Sequence, residues 1–271
     1  MAPYTAYLAR RAELAIFNMV CLSGMHALRT HDPRWEERHS EWREMLSVTQ
    51  VAAGQAGTPP TTLSVDEFFL RHLTYREIMT CWASVELLVF DVLRLAIAED
   101  DTILQRSPLT RIRVAPGDLM TLSREQQYDL LTQEAVRTLQ NGSGKGLDRP
   151  AAVFGFLGLN PALDHAEIKG GRELAALRHL IAHRQGVVDD RFQAEVSGYG
   201  ATLGEPVMIR PSHAHDLLAC VDRYVAKLAE LSAERNKVEA AGQRLAAALR
   251  QIASMHRPDE IGDYPVGDRT H

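Results

Sequence analysis

The chain has 271 residues, 45% of them hydrophobic and 24% charged, with a net charge of −5. That length suits a globular protein whose core needs no covalent staples, and the acidic balance excludes a surface coated in phosphate-binding charge while leaving room for a local basic cleft. Cys21, Cys81 and Cys220 lie far apart with no CxxC pair, so they imply neither a disulfide framework nor a cysteine zinc site and suit a reducing, cytoplasmic setting. No apolar run reaches bilayer length, and Glu13 and Asn18 interrupt the N-terminal apolar stretch, so neither a membrane span nor a signal peptide is expected.

The pattern in chain order is helical throughout. Residues 5–29 and 33–54 read as two helices broken at His31-Asp32-Pro33, and the stretch from Gly54 to Thr62 reads as a linker. Ser64, Asp66 and Glu67 open the most apolar helix, 66–98, whose aromatics Phe68, Phe69, Trp82 and Phe90 are expected in the core. Trp35 and Trp42 share a face of the second helix. Residues 100–122 are irregular, and Ser123 with Gln126 forms a capping-box pattern opening a helix to 139. The loop from Asn141 to Gly146 (NGSGKG) lacks Walker spacing and a preceding strand, so it is a poor phosphate loop.

Short and longer helices follow over 150–157 and 170–185, the second stopping at Gly186 as a C-cap. Residues 187–210 are the one stretch with β character, a hairpin or an irregular excursion, and His213 and His215 read as surface residues at the next helix start. The last helix, 212–256, carries a heptad seam from Val221 through Tyr224, Leu228 and Leu231 to Ile252, flawed at Arg235 and Gly242. The seam could pack on the chain's own helices or on a second copy. The expected organisation is an all-α bundle: an N-terminal helical hairpin over 1–56, a helical domain over 63–256 with long helices at both ends, and a disordered tail over 257–271.

Chemistry concentrates between Glu173 and Phe192. Arg178 and His183 form an Arg-x4-His pair at the end of an apolar-striped helix, followed by Gly186-Val187-Val188-Asp189. Two other such spacings, Arg34 to His39 and Arg210 to His215, lack that context, the second containing Pro211. The basic residues are 26 Arg against 4 Lys; Arg suits forked phosphate contacts, and a composition bias of the source genome is the plainer explanation. On a regular helix residues five apart differ by about 140°. Arg178 and His183 therefore meet only if the last turn unwinds or another chain completes the site. His179 and His183 have the four-residue spacing of metal ligands, but no HExxH glutamate or third ligand accompanies them, so no metal or other cofactor is expected.

Glu86 sits among Trp82, Ala83, Val89 and Phe90 on its helix, with Glu77, Ser84 and Asp91 on the opposite, polar face. A carboxylate in apolar surroundings needs a partner. Arg178, flanked by Leu174, Ala175, Ile181 and Ala182, has the same need. The two are expected to pair within about 6 Å, as a supporting contact for the site or as a purely structural ion pair.

The segment from Arg178 to Phe192 (RHLIAHRQGVVDDRF) resembles the signature of the HEPN superfamily, and the Gly-Val-Val-Asp that follows, with the Glu86-bearing helix, resembles its bacterial RiboL-PSP type. The resemblance covers roughly residues 66–230. It implies a HEPN-like bundle, a homodimer with the active site at its interface, and metal-independent RNA cleavage by 2′-hydroxyl attack on the adjacent phosphate. Arg178 and His183 would be catalytic, the imidazole as base and the guanidinium on the phosphoryl oxygens, with His179 and Glu86 supporting. It further implies an RNA substrate, an antitoxin or defence-system partner, and a setting in bacterial stress response, toxin–antitoxin pairing or antiphage defence. The alternative is a catalytically silent dimer serving as an RNA- or nucleotide-binding or protein-interaction scaffold. In family members silenced by nucleotidylation a tyrosine follows the histidine by two positions; Gln185 stands there in this chain.

Overall fold

The computed structural model describes residues 3–31, 65–196 and 201–235, together with the isolated positions 34, 40, 41, 44 and 199. Among these the fold is all-α, with no strand. In chain order the helices are α1 (Pro3–His31), α2 (Val65–Glu99), α3 (Pro116–Thr121), α4 (Arg124–Gln140), α5 (Asp148–Phe156), α6 (His165–Arg184), α7 (Asp190–Glu195) and α8 (Pro211–Arg235). Two 3-10 turns, Asp101–Gln105 and Leu109–Arg111, fill the expected irregular region before α3. No helix among the described residues is long and apolar enough to cross a membrane.

Helix α2 is the axis of the bundle, packed against α1, α4, α5, α6 and α8. Its sequence explains this position, because apolar residues occupy more than one face: Ile78, Cys81, Val85, Leu88, Val89, Leu93 and Ile97 are all buried. Each fully buried Leu or Ile among them contributes about 1.5–3 kcal/mol. Ser84, assigned by its spacing to a polar face, is buried instead and returns its hydroxyl to the Thr80 carbonyl at 2.8 Å. The simple two-face reading fails there because a helix surrounded on several sides has no single solvent face. Trp82 is core as expected, whereas Phe68, Phe69 and Phe90 are half-buried.

Helix α1 packs along α2 and is tied to α8 by charge. The Arg11 guanidinium donates to both Asp222 oxygens, at 3.0 and 2.9 Å, and the Tyr7 hydroxyl donates to Asp222 Oδ1 at 2.7 Å. Burial, then the Asp222 charge, push the Tyr7 hydroxyl well above its ordinary range, so it remains a donor.

Both ends of α6 are specified locally. The Asp164 side chain accepts from the Glu167 backbone while the Glu167 side chain accepts from the Asp164 backbone, a full capping box. The helix thus begins about five residues before the expected 170 and runs through Gly170 and Gly171. Those glycines serve packing. A Cβ on Gly170 would lie 2.9 Å from Cys220 Sγ of α8, and one on Gly171 would lie 2.5 Å from Leu147 Cγ. Helix α6 therefore lies flush against both neighbours. Its C-terminal end closes with Gln185 in the left-handed region (φ 54°), whose N–H bonds the Ile181 carbonyl, and the Gly186 N–H reaches the Leu180 carbonyl. Gly186 is required for a second reason: at φ +82° a Cβ would meet Tyr75 Oη at 2.1 Å.

The excursion over 187–210 is irregular. Val187 and Pro206 form an isolated antiparallel bridge, and the chain turns helical at Asp190, because the Asp189 side chain caps α7 at the Phe192 N–H. The far side of the excursion is pinned to α6: the Tyr199 hydroxyl donates to Glu173 at 2.6 Å, and His213 bonds the same carboxylate, so His213 is a paired side chain and not a plain surface residue. In α8, Val221, Tyr224 and Leu228 of the heptad seam are buried, so the seam packs on the chain's own helices as far as it is described. Its continuation from Val238 to Ile252, most of the expected helix over 33–54 with Trp35, His39 and Trp42, the linker and the tail lie outside the described residues.

Candidate functional site

The C-terminal half of α6, the middle of α2, helix α7 and the loop before α5 enclose a cavity of about 190 Å³. Its floor follows from the spacing on α6. Arg172, Ala175, Ala176 and His179 stand at i, i+3, i+4 and i+7, one stripe of the helix. The two alanines leave a hollow that the longer side chains at either end border.

Arg178 and Glu86 meet in this cavity. Arg178 Nη2 lies 3.4 Å from Glu86 Oε1, well inside the separation the sequence requires, and the Trp82 indole N–H donates to the same oxygen at 2.8 Å. The environment differs from the expectation in one respect. The side chains of Arg178 and Glu86 are 33% and 52% exposed, so this is a water-accessible pair, worth at most about 1 kcal/mol of stability. Of the apolar neighbours of Glu86 on its own helix, Trp82 and Val89 are buried, Phe90 is half-buried and Ala83 is exposed, and Glu86 itself lines the cavity opening.

His179 also lines the cavity. Arg191 Nη1 lies 3.2 Å from His179 Nε2. A guanidinium carries donors and no acceptor, so this contact fits the neutral imidazole with its proton on Nδ1. Partial burial, then the positive charge of Arg191 and the neighbouring His183 ring, lower the His179 pKa from its ordinary value. The His183 ring stacks obliquely on His179, with centroids 4.6 Å apart. His183 itself is exposed and lies outside the cavity lining. Helix α6 stays regular through Arg184, so the unwinding that could have turned His183 toward Arg178 does not occur. Within one chain the structure brings together Arg178, Glu86 and His179, and connects His183 to them only through the His179 ring.

The sequence reading missed the remaining cations. Lys145, Arg149, Arg172 and Arg191 join Arg178 in the lining, five basic side chains against the three carboxylates of Glu86, Asp189 and Glu195. Glu195 Oε1 receives both Lys145 Nζ at 2.6 Å and Arg191 Nε at 2.9 Å, and Arg172 Nη2 lies 3.2 Å from Asp148, outside the lining. The i, i+7 relation of Arg172 to His179 was visible in the sequence. The approach of Lys145 and Arg149 was not, since it depends on the loop before α5 folding over α6, where Gly146 (φ +66°) passes so close that a Cβ would lie 2.5 Å from the Gly171–Arg172 backbone. Among the described residues no group of three His, Cys, Asp or Glu side chains is arranged as a metal site.

The arrangement can hold an anion, since it offers forked donors in a concave, partly dehydrated place, with the His179 ring beside them. No protein-family model matches the chain, and neither a curated protein nor a solved structure matches it significantly.

Proposed function

We propose that the cavity binds the phosphodiester backbone of RNA and that the protein is a metal-independent endoribonuclease of the HEPN type, cleaving by attack of the 2′-hydroxyl on the adjacent phosphate. The observation that carries this reading is the cluster of Arg178, Glu86 and His179 in a cavity with an excess of basic side chains, beside a second histidine. Arg178 would stabilise charge building on the phosphoryl oxygens, with Glu86 and the Trp82 indole fixing its direction. His183 would take the 2′-hydroxyl proton, with His179 as its support. In this chemistry the products carry a 2′,3′-cyclic phosphate and a 5′-hydroxyl.

The geometry of α6 favours a site shared between two copies, because Arg178 and His183 diverge on a regular helix. A homodimer that sets one copy's His183 opposite the other's Arg178 would complete it. An antitoxin or a defence-system partner, controlling such a dimer in a stressed or infected bacterium, belongs to the same proposal.

The test incubates purified protein with total RNA in EDTA, beside Arg178→Ala and His183→Ala variants. Cleavage by the parent with cyclic-phosphate ends, abolished in each variant, is the expected result. Mixing the two inactive variants restores about a quarter of parental activity if subunits exchange freely and each site draws on both copies. Intact RNA with the parent rejects the nuclease and favours a silent RNA-binding scaffold, a reading supported by the position of His183 outside the cavity lining.

A further inference from the structure

The cavity is wider than one phosphate contact at Arg178 requires, and its far side has a distinct character. There Lys145 and Arg191 both close on one oxygen of Glu195, at 2.6 and 2.9 Å. Arg149 and Arg172 line the same cavity, and Arg149 has no carboxylate partner among the described residues. The Glu195 side chain is 21% exposed, whereas those of Lys145, Arg172 and Arg191 are 62%, 58% and 56% exposed. One carboxylate is therefore held inward by cations that keep most of their surface open to solvent. Two convergent donors on a single oxyanion is the pattern by which a phosphoryl oxygen is held.

We infer that Lys145, Arg149, Arg172 and Arg191 form a second phosphate subsite, in which Glu195 stands where a neighbouring phosphate of a bound RNA strand would displace it. This rests on the RNA reading of the cavity and adds to it that at least two phosphates of one strand are bound together. Arg191 links the subsites, since Nη1 faces His179 while Nε holds Glu195. When phosphate replaces Glu195, Arg191 keeps an anionic partner and so keeps its place beside the histidine. The carboxylate competes with substrate and also holds the cations in position until substrate arrives.

The probe is a 2′-O-methyl trinucleotide, which has two phosphates and no attacking hydroxyl, compared with the same molecule carrying a neutral methylphosphonate in place of either phosphate. Affinities are measured by titration calorimetry at one fixed salt concentration. With the parent, one of the two replacements costs about tenfold through the loss of contacts at the second subsite. In a Lys145→Ala, Arg149→Ala variant that replacement changes affinity by less than about twofold, and Glu195→Gln binds the charged trinucleotide several-fold tighter than the parent. An undiminished penalty in the double variant, or no gain from Glu195→Gln, overturns the proposal. Matched melting temperatures of parent and variants show that each is folded. Cleavage separates the two ideas: a protein that shows the charge dependence without cutting RNA keeps the subsite and loses the nuclease, and one that cuts without it does the reverse.

Discussion

Arg11 with Asp222 and Arg178 with Glu86 are two versions of one interaction, each joining distant parts of the chain. The first is bidentate, supplemented by the Tyr7 hydroxyl and nearly closed to water, with side chains 11% and 6% exposed. The second is a single longer contact of 3.4 Å at the edge of a cavity, 33% and 52% exposed. Coulomb attraction is stronger in the first place, and so is the penalty for leaving a charge unpaired. The comparison teaches that the same two residue types fasten a fold where water is excluded and stay available to a ligand where it is not.

The largest expected effect comes from breaking the buried pair. Asp222→Ala strands the Arg11 guanidinium and removes the Tyr7 acceptor, and should cost about 3–5 kcal/mol in denaturant unfolding. A loss under about 1 kcal/mol would show that water reaches this site and that the contrast between the two pairs is false. Next in size is Arg178→Ala, which under the proposed nuclease function should lower RNA cleavage by about a hundredfold or more through loss of phosphate stabilisation. The same change should move stability by no more than about 1 kcal/mol. A variant that lost stability and activity in parallel would make Arg178 a second structural fastener.

Glu86→Gln preserves shape and the Trp82 contact while removing charge. It should reduce the proposed cleavage roughly tenfold by loosening Arg178, with the melting curve nearly unchanged. Unaltered activity would leave Glu86 as a surface ion-pair partner only. The smallest effect concerns His179. Its ring should titrate below the ordinary 6.5 by NMR, and Arg191→Gln should bring the midpoint upward by removing a neighbouring positive charge. Because the folded pKa is the lower one, the neutral ring favours the fold above pH 6.5, and that contribution fades as pH falls through the folded value. A midpoint unmoved by Arg191→Gln would mean that burial and the other neighbouring groups set it without Arg191.

Much of this was legible in the residues. The apolar run of α2, the capping box at Ser123 and Gln126, and the stop at the end of α6 follow from side-chain chemistry over a few neighbours, and all three are present. The pairing of Glu86 with Arg178 was also legible, because two charges on apolar stripes each lacked a local partner. The start of α6 was hidden by Gly170 and Gly171, which usually interrupt helices and are tolerated in this one for the close contacts they permit. Over 187–210 the residues left a hairpin and an irregular excursion both open; the irregular form is present, with one bridge at Val187, because the Asp189 side chain caps a helix where the strand would run. The second bank of cations depends on chain segments far apart in sequence, and pattern reading along a single helix has no access to it.

The two alanines on the floor of the cavity have a practical consequence. The hollow exists because α6 omits bulk at Ala175 and Ala176, not because any side chain was placed to shape it. Enlarging either methyl group would act as a plug, taking up room without altering a single charge. Steric and ionic recognition at this site can therefore be varied separately: substitutions at the floor change how large a guest is admitted, while those on the rim change how strongly its charge is held.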